Sequence, residues 1–371
     1  MYVQDAPISN RLASLDILRG FDMFWIIGGG AILSSLIEYL NWEWLAPVAE
    51  HLDHAEWQGF KAWDLIFPLF IFISGVTMPF SFDKYITLNR KKTLYFRIIK
   101  RALLLILLGW LYNGMFETLN FANIRYLSVL GLIGMAYLWA SIIVCNFKVT
   151  GQIVCAAAIL VLYYILMNFV PVPGYGAGIL TGDGNFASYI DRLLVPGVFY
   201  GGNTDPEGLL MTFPASVLAI SGALAGTLLK RRKSNQYHKV LFLAVMGIVC
   251  LIAGLLWNRH FPMIKKLWTS SFVIYASGWS LLLLALFYLL VDVWGIRKIF
   301  FPFMLIGVNP LTIYICVRGI IDFEYPANFI FGGITRLSGE PFEPVVNNLA
   351  ILFCELVFLY VLYRKKIFLK V

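Results

Sequence analysis

Stretches of about twenty mostly apolar residues, separated by short polar gaps, recur along the chain from one end to the other. Each can cross roughly 30 Å of hydrocarbon as a helix, and a spanning helix satisfies its own backbone hydrogen bonds there. The pattern predicts an all-α, polytopic integral membrane bundle of about ten transmembrane helices. They fall near 16–40, 62–82, 102–118, 126–146, 150–170, 207–229, 240–257, 268–292, 299–321 and 346–363. The chain is read as a single domain, 1–371, with longer polar loops near 41–61, 171–206 and 322–345. No internal repeat is evident.

The composition agrees, because 60% hydrophobic and 13% charged residues leave no material for a water-soluble surface. A net charge of +8 would suit a nucleic-acid partner, but the positive charges sit in the gaps between apolar runs and read as topology signals. One gap holds Lys84, Arg90, Lys91, Lys92, Arg97, Lys100 and Arg101, and another holds Lys230, Arg231, Arg232, Lys233 and Lys239. Both are expected on the cytoplasmic side. Counting outward places both termini inside and the three longer loops outside, in agreement with the terminal Arg364, Lys365 and Lys366. Arg259, Lys265 and Lys266 dissent by falling outside. The five cysteines lie in or beside apolar segments and read as buried free thiols. The first dozen residues show no removable signal peptide, so the first span is expected to serve as insertion signal.

The first outer loop gathers Glu50, His51, Asp53, His54, Glu56 and Asp64 among four tryptophans, and two of the chain's four histidines are here. Three readings stand: an interfacial segment with its tryptophans at headgroup depth, a metal site, or a histidine acting as base or nucleophile. Asp64 could orient such a histidine. Charges inside spans need a partner or a purpose. Asp16 and Arg19, three apart, can pair on one helical face, and Asp22 lies a turn beyond. Gly28, Gly29 and Gly30 permit a kink or close helix approach. The GYGAG run at 174–178 follows Pro-Val-Pro instead of a strand and argues against nucleotide binding. Lys265, Lys266 and Trp268 lead into a span bearing Thr269, Ser270, Ser271 and Ser277. Asn309-Pro310 should break a later span.

Seven stretches, read together, resemble the heparan-α-glucosaminide N-acetyltransferase family of membrane enzymes and its bacterial relatives. They are RLASLDILRG at 11–20, HAEWQGFKAWDLIFPLFIFISGVT at 54–77, FASYIDRLL at 186–194, DPEGLL at 205–210, KKLWTSSFV at 265–273, GVNPLTIY at 307–314 and YRKKIF at 363–368. The resemblance implies transfer of acetyl from cytoplasmic acetyl-CoA to the amine of an extracytoplasmic, glucosamine-type sugar. His54 then falls on the family's catalytic histidine. The chain departs from the family's pattern at Gly30, Gly131, Leu132 and Ile264, while Arg125 is kept.

On that footing His54, with Asp64, is the expected catalytic pair. Glu56, Trp57, Asp205, Glu207, Arg125 and Asn309 are expected around the sugar and the reacting carbonyl. Arg19, Arg101, Lys265, Lys266, Trp268 and Ser270 are expected around CoA. The partners expected are acetyl-CoA, an amino sugar or the terminal glucosamine of a glycan, and the lipid bilayer of a bacterial inner membrane. A homodimer is an open option, and no metal or nucleic acid is called for. A transporter of amino sugars or cell-wall fragments, and a polysaccharide O-acetyltransferase, remain as alternatives.

Overall fold

The computed structural model describes residues 12–115, 123–231 and 234–369. Arg11, Arg232 and Lys233, which figured in the expectations, lie outside the described residues. Among the described residues the ordered structure is helical. β-pairing is limited to the isolated bridges Arg125–Gly197, Val172–Gly176 and Phe199–Gly202.

Among the described residues, eight helices are long and apolar enough to cross a membrane: Ala13–Leu40, Ala62–Thr87, Val129–Asn146, Val149–Phe169, Thr212–Lys230, Gln236–Trp257, Ser270–Val293 and Glu343–Arg364. Phe301–Val308 and Pro310–Ile320 form a ninth if taken as one span, bent by 77° at Asn309. Proline 310 has no N–H to continue the ladder, so the break falls where the sequence places it. The remaining expected span, 102–118, begins inside the 22-residue helix Lys91–Tyr112. Lys91, Lys92, Arg97, Lys100 and Arg101 crowd its first half and keep the helix as a whole short of the apolar length needed. The first span is interrupted by a π-helical segment, Trp25–Gly29, with non-helical backbone at Gly28. The polar stretch 322–345 is more ordered than a loop, because Glu324–Leu337 is a helix.

The chain divides into two compact units. Among the described residues, one comprises 12–49, 235–242 and 283–369, and the other comprises 50–115, 123–231, 234 and 243–282. In the second unit, the helix Ile66–Val76 lies against Thr212–Lys230 at backbone contact distance. A Cβ at Gly222 would run into the Phe72 carbonyl, one at Gly226 into that of Val76, and one at Gly75 into that of Ala219. Gly222 and Gly226 are a small-xxx-small pair, which in lipid lets van der Waals contact replace the missing hydrophobic drive. The helix that this seam holds begins immediately after Asp64.

Candidate active site

The site is built on residues 51–64 and 263–269, both in the second unit. The first segment is extended between two backbone ties: Trp63 N–H donates to the His51 carbonyl at 3.1 Å, and Gly59 N–H donates to the Met263 carbonyl at 2.9 Å. His51 Nδ1 accepts the Ala62 N–H at 3.2 Å, so this ring closes the loop and does not pair with its neighbour. Among the described residues, no three His, Cys, Asp or Glu side chains are arranged to hold a metal ion.

Asp64 is fully buried and is the hub. Its Oδ2 accepts the backbone N–H of Ala55 at 3.2 Å and of Lys61 at 3.0 Å, while its Oδ1 lies 2.8 Å from His54 Nδ1. An ionised carboxylate only accepts, so with Asp64 ionised Nδ1 carries the proton toward it and Nε2 keeps the ring's lone pair. The His54 side chain is 52% exposed, against 0% for Asp64, so one end of this pair is anchored and the other accessible.

Lys265 completes the group. Its Nζ lies 2.9 Å from His54 Nδ1 and 3.4 Å from Nε2, and 3.4 Å from Asp64 Oδ1. The KKLWTS motif aims it there. Lys265–Leu267 is a single 3-10 turn, closed by Ile264 N–H donating to Thr269 Oγ1 at 3.0 Å. Trp268 follows with φ 49°, a left-handed conformation rare for a bulky residue and maintained only where the surroundings over-determine it. Those surroundings are a Trp268 Nε1–H bond to the Pro206 carbonyl at 2.8 Å and edge-on packing against Phe67 and Phe272. Burial pushes the Lys265 ammonium below the usual lysine range, and Lys266 adds to this against the opposing pull of Asp64 and Glu207.

Residues expected around the sugar divide. Trp57 donates its indole N–H to the Leu180 carbonyl at 2.9 Å, and the Lys266 ammonium stands 5.6 Å over its ring while donating to the Glu56 carbonyl. Asp205 is fully buried. Arg125 donates to both of its oxygens at 2.7 Å and also to Glu207. Asp205 also accepts backbone N–H groups from Tyr200 and Glu207 at 3.0 Å. Burial opposes its charge, but the Arg125 bonds outweigh that and hold its carboxyl below the usual range. Glu207 moves the other way, because burial and the neighbouring Asp205 exceed what Arg125 contributes. Asp205 thus positions Arg125 and Glu207 and has no oxygen facing outward.

The hydroxyls after Trp268 are committed to packing. Ser270 donates to the Leu160 carbonyl at 2.7 Å and Ser271 to that of Phe261 at 2.6 Å. Arg101 lies 4.1 Å over the Tyr137 ring, and its buried Nε has no hydrogen-bond acceptor. Two expected residues belong to the first unit. Arg19 pairs with Asp16 at 3.2 Å and reaches the Gly307 carbonyl. Asn309 clamps the end of the chain, donating to the Ile367 carbonyl at 3.0 Å and accepting from Leu369 N–H at 3.2 Å.

Sequence reasoning placed Lys265 with CoA and did not connect it to His54, 211 positions away. Its only sequence signal was a basic pair on the side that charge counting leaves poor in lysine. Asp191 was not singled out. Its Oδ1 accepts Leu209 N–H at 2.8 Å and its Oδ2 is buried without a partner.

A family described as a domain of unknown function, DUF5009, matches residues 11–168. The heparan-α-glucosaminide N-acetyltransferase of Mus musculus is 26% identical over 421 aligned residues, covering 98% of this chain and 61% of that protein. The Homo sapiens protein of the same name is 27% identical over 416, covering 97% and 60%. The chain therefore spans about three-fifths of the length of these relatives. The similarity read from the motifs thus extends over nearly the whole chain.

Proposed function

Taking that similarity as premise, we propose that the protein is a transmembrane acetyltransferase that moves acetyl from cytoplasmic acetyl-CoA to the amine of an extracytoplasmic amino sugar. The observation that carries this reading is the exposed His54 imidazole held at Nδ1 by a fully buried Asp64. An amine attacks a thioester only when deprotonated, and a base with a pKa near neutrality serves that step. Asp64 fixes the tautomer, so Nε2 takes the proton as the sugar nitrogen bonds to the acetyl carbon. The tetrahedral intermediate carries an oxyanion, and Lys265 Nζ is the cationic donor against His54. Acyl transfer through an acetyl-imidazole on His54 uses the same atoms in two steps.

Glu56 and Trp57 lie beside His54 in sequence and offer a carboxylate and an apolar ring to the sugar. Glu207, held by Arg125 and acting electrostatically on Lys265, is a carboxyl that can accept or give a proton. In this unit Arg101, with its unpartnered Nε, is the side chain we assign to a CoA phosphate. Positive-inside counting puts the basic gap of residues 84–101 and both termini on the CoA side.

The test is to incubate the purified protein with acetyl-CoA and a panel of amino sugars and identify products by mass. His54→Ala should lower N-acetyl sugar formation by about a hundredfold or more. Undiminished transfer by that variant, normally inserted, would remove the mechanism. Unmodified sugar accumulating in sealed vesicles without acetyl-CoA would instead indicate a transporter.

A further inference from the structure

The group around His54 contains a primary amine of the protein itself. We propose that Lys265 is an internal acyl acceptor: when no amino sugar is present, the acetyl group passes to its Nζ, and the resulting acetyl-lysine arrests the enzyme. The proposal rests on the acetyl-transfer reading above and identifies a modification site within it.

Three observations carry it. First, Nζ lies 3.4 Å from His54 Nε2, the nitrogen assigned to take a proton, and 2.9 Å from Nδ1, so it is already in reach of the base that an incoming amine needs. Second, the backbone that carries the amine is held toward His54, because the turn at 264–269 is closed by Thr269 and fixed by Trp268 in its left-handed conformation. Third, the side chain is only 18% exposed, and its desolvation favours the uncharged, nucleophilic form. Lys266 provides an internal comparison: one position along, it donates to the Glu56 carbonyl and rests over Trp57.

The step balances without any further reactant than acetyl-CoA. The Nζ lone pair attacks the thioester carbonyl carbon, an N–C bond forms, and the tetrahedral intermediate collapses with cleavage of the C–S bond. The proton lost by nitrogen passes through His54 Nε2 to the CoA thiolate, which leaves as the thiol. If acetyl first rests on His54, the same amine attacks that carbonyl, the imidazole N–C bond breaks, and the proton lost by nitrogen stays on the imidazole. Both routes end in the same amide. An amide is far less reactive than a thioester or an acyl-imidazole, so the product is a dead end. It also removes the positive charge facing Asp64 and places an acetyl group beside the base. An amino sugar in the site competes for the same carbonyl and protects the lysine.

The experiment uses the purified full chain with acetyl-CoA alone, followed by peptide mass mapping. Lys265 should gain one acetyl group, about tenfold or more faster than Lys266 and than Lys265 in the His54→Ala protein. The rate should rise with pH and fall when glucosamine is added. In parallel, preincubation with acetyl-CoA should cause a time-dependent loss of sugar acetylation whose rate matches that of Lys265 acetylation and which added glucosamine slows. Glucosamine acetylation with Lys265 unmodified would overturn this proposal and leave the acetyl-transfer reading standing. Equal labelling of Lys265 with and without His54 would also overturn it, as acetylation by solution chemistry. Acetylated Lys265 without any sugar product would support it and point to a different acceptor. Neither product from folded protein would overturn both.

Discussion

At the scale of single residues, the arrangement assigns Asp64 the task of holding one tautomer of His54. Asp64→Asn keeps the shape but offers an N–H or a weaker acceptor, so the ring loses its fixed orientation. We expect kcat to fall by about 10²–10⁴ with KM little changed, measured with saturating acetyl-CoA and varied sugar. Asp191 makes a prediction about stability. Burial, with a smaller push from Asp205, raises its carboxyl to about 7, against the pull of Leu209 N–H and Arg192. The unfolded value is about 3.9, so the folded state holds the proton more tightly. Below about pH 4 Asp191 carries no penalty; the penalty grows as pH rises toward 7 and is constant above that. Asp191 should therefore contribute a decline in the thermal midpoint in detergent from pH 4 to 7, and Asp191→Asn should remove that contribution. A slope identical in both proteins would contradict the assignment. The His54–Asp64 pair was legible in sequence because the two residues are ten positions apart in one loop. Lys265 was legible only as a misplaced charge, because nothing local says which ring a distant amine will meet.

At the scale of elements, the seam of Gly75, Gly222 and Gly226 holds the helix that follows Asp64. A side chain at Gly222 or Gly226 must separate two backbones, and in lipid no hydrophobic gain compensates lost packing. Gly222→Leu should lower the thermal midpoint in detergent and reduce activity together, whereas the same change at Gly332, which faces open space, should alter neither. The break at Asn309-Pro310 was readable from proline chemistry alone. The use of the Asn309 side chain as a clamp on residues 367–369 was not, since both groups are polar and the partners lie 58 and 60 positions away. Likewise Thr269, Ser270 and Ser271 looked available from their residue types, and packing against Ile264, Leu160 and Phe261 consumed them.

At the scale of the whole molecule, the reading requires the base and the thioester to approach from opposite faces of the membrane. That requirement is testable across the helix Ala62–Thr87 without knowing the full span count. In a background lacking the native cysteines, Asp53→Cys should react with a membrane-impermeant thiol reagent in intact cells. Lys92→Cys should react only after permeabilisation. Equal access to both positions would defeat the sidedness and with it the cross-membrane transfer.

The apolar run lengths by themselves determined that this chain is helical and multi-pass, because a backbone in hydrocarbon must satisfy its own hydrogen bonds whatever its neighbours do. Local spacing also determined the His54–Asp64 loop and the Pro310 break, since both involve groups a few positions apart. Only the tertiary structure decided that Lys265 faces His54, that Arg125 binds Asp205 and Glu207, and that the Ser/Thr cluster is internal glue. The Lys265–His54, Arg125–Asp205, Arg125–Glu207 and Ser270–Leu160 pairings span 211, 80, 82 and 110 positions, and a polar side chain carries no mark of its partner until the helices pack and desolvation makes leaving it unpaired costly.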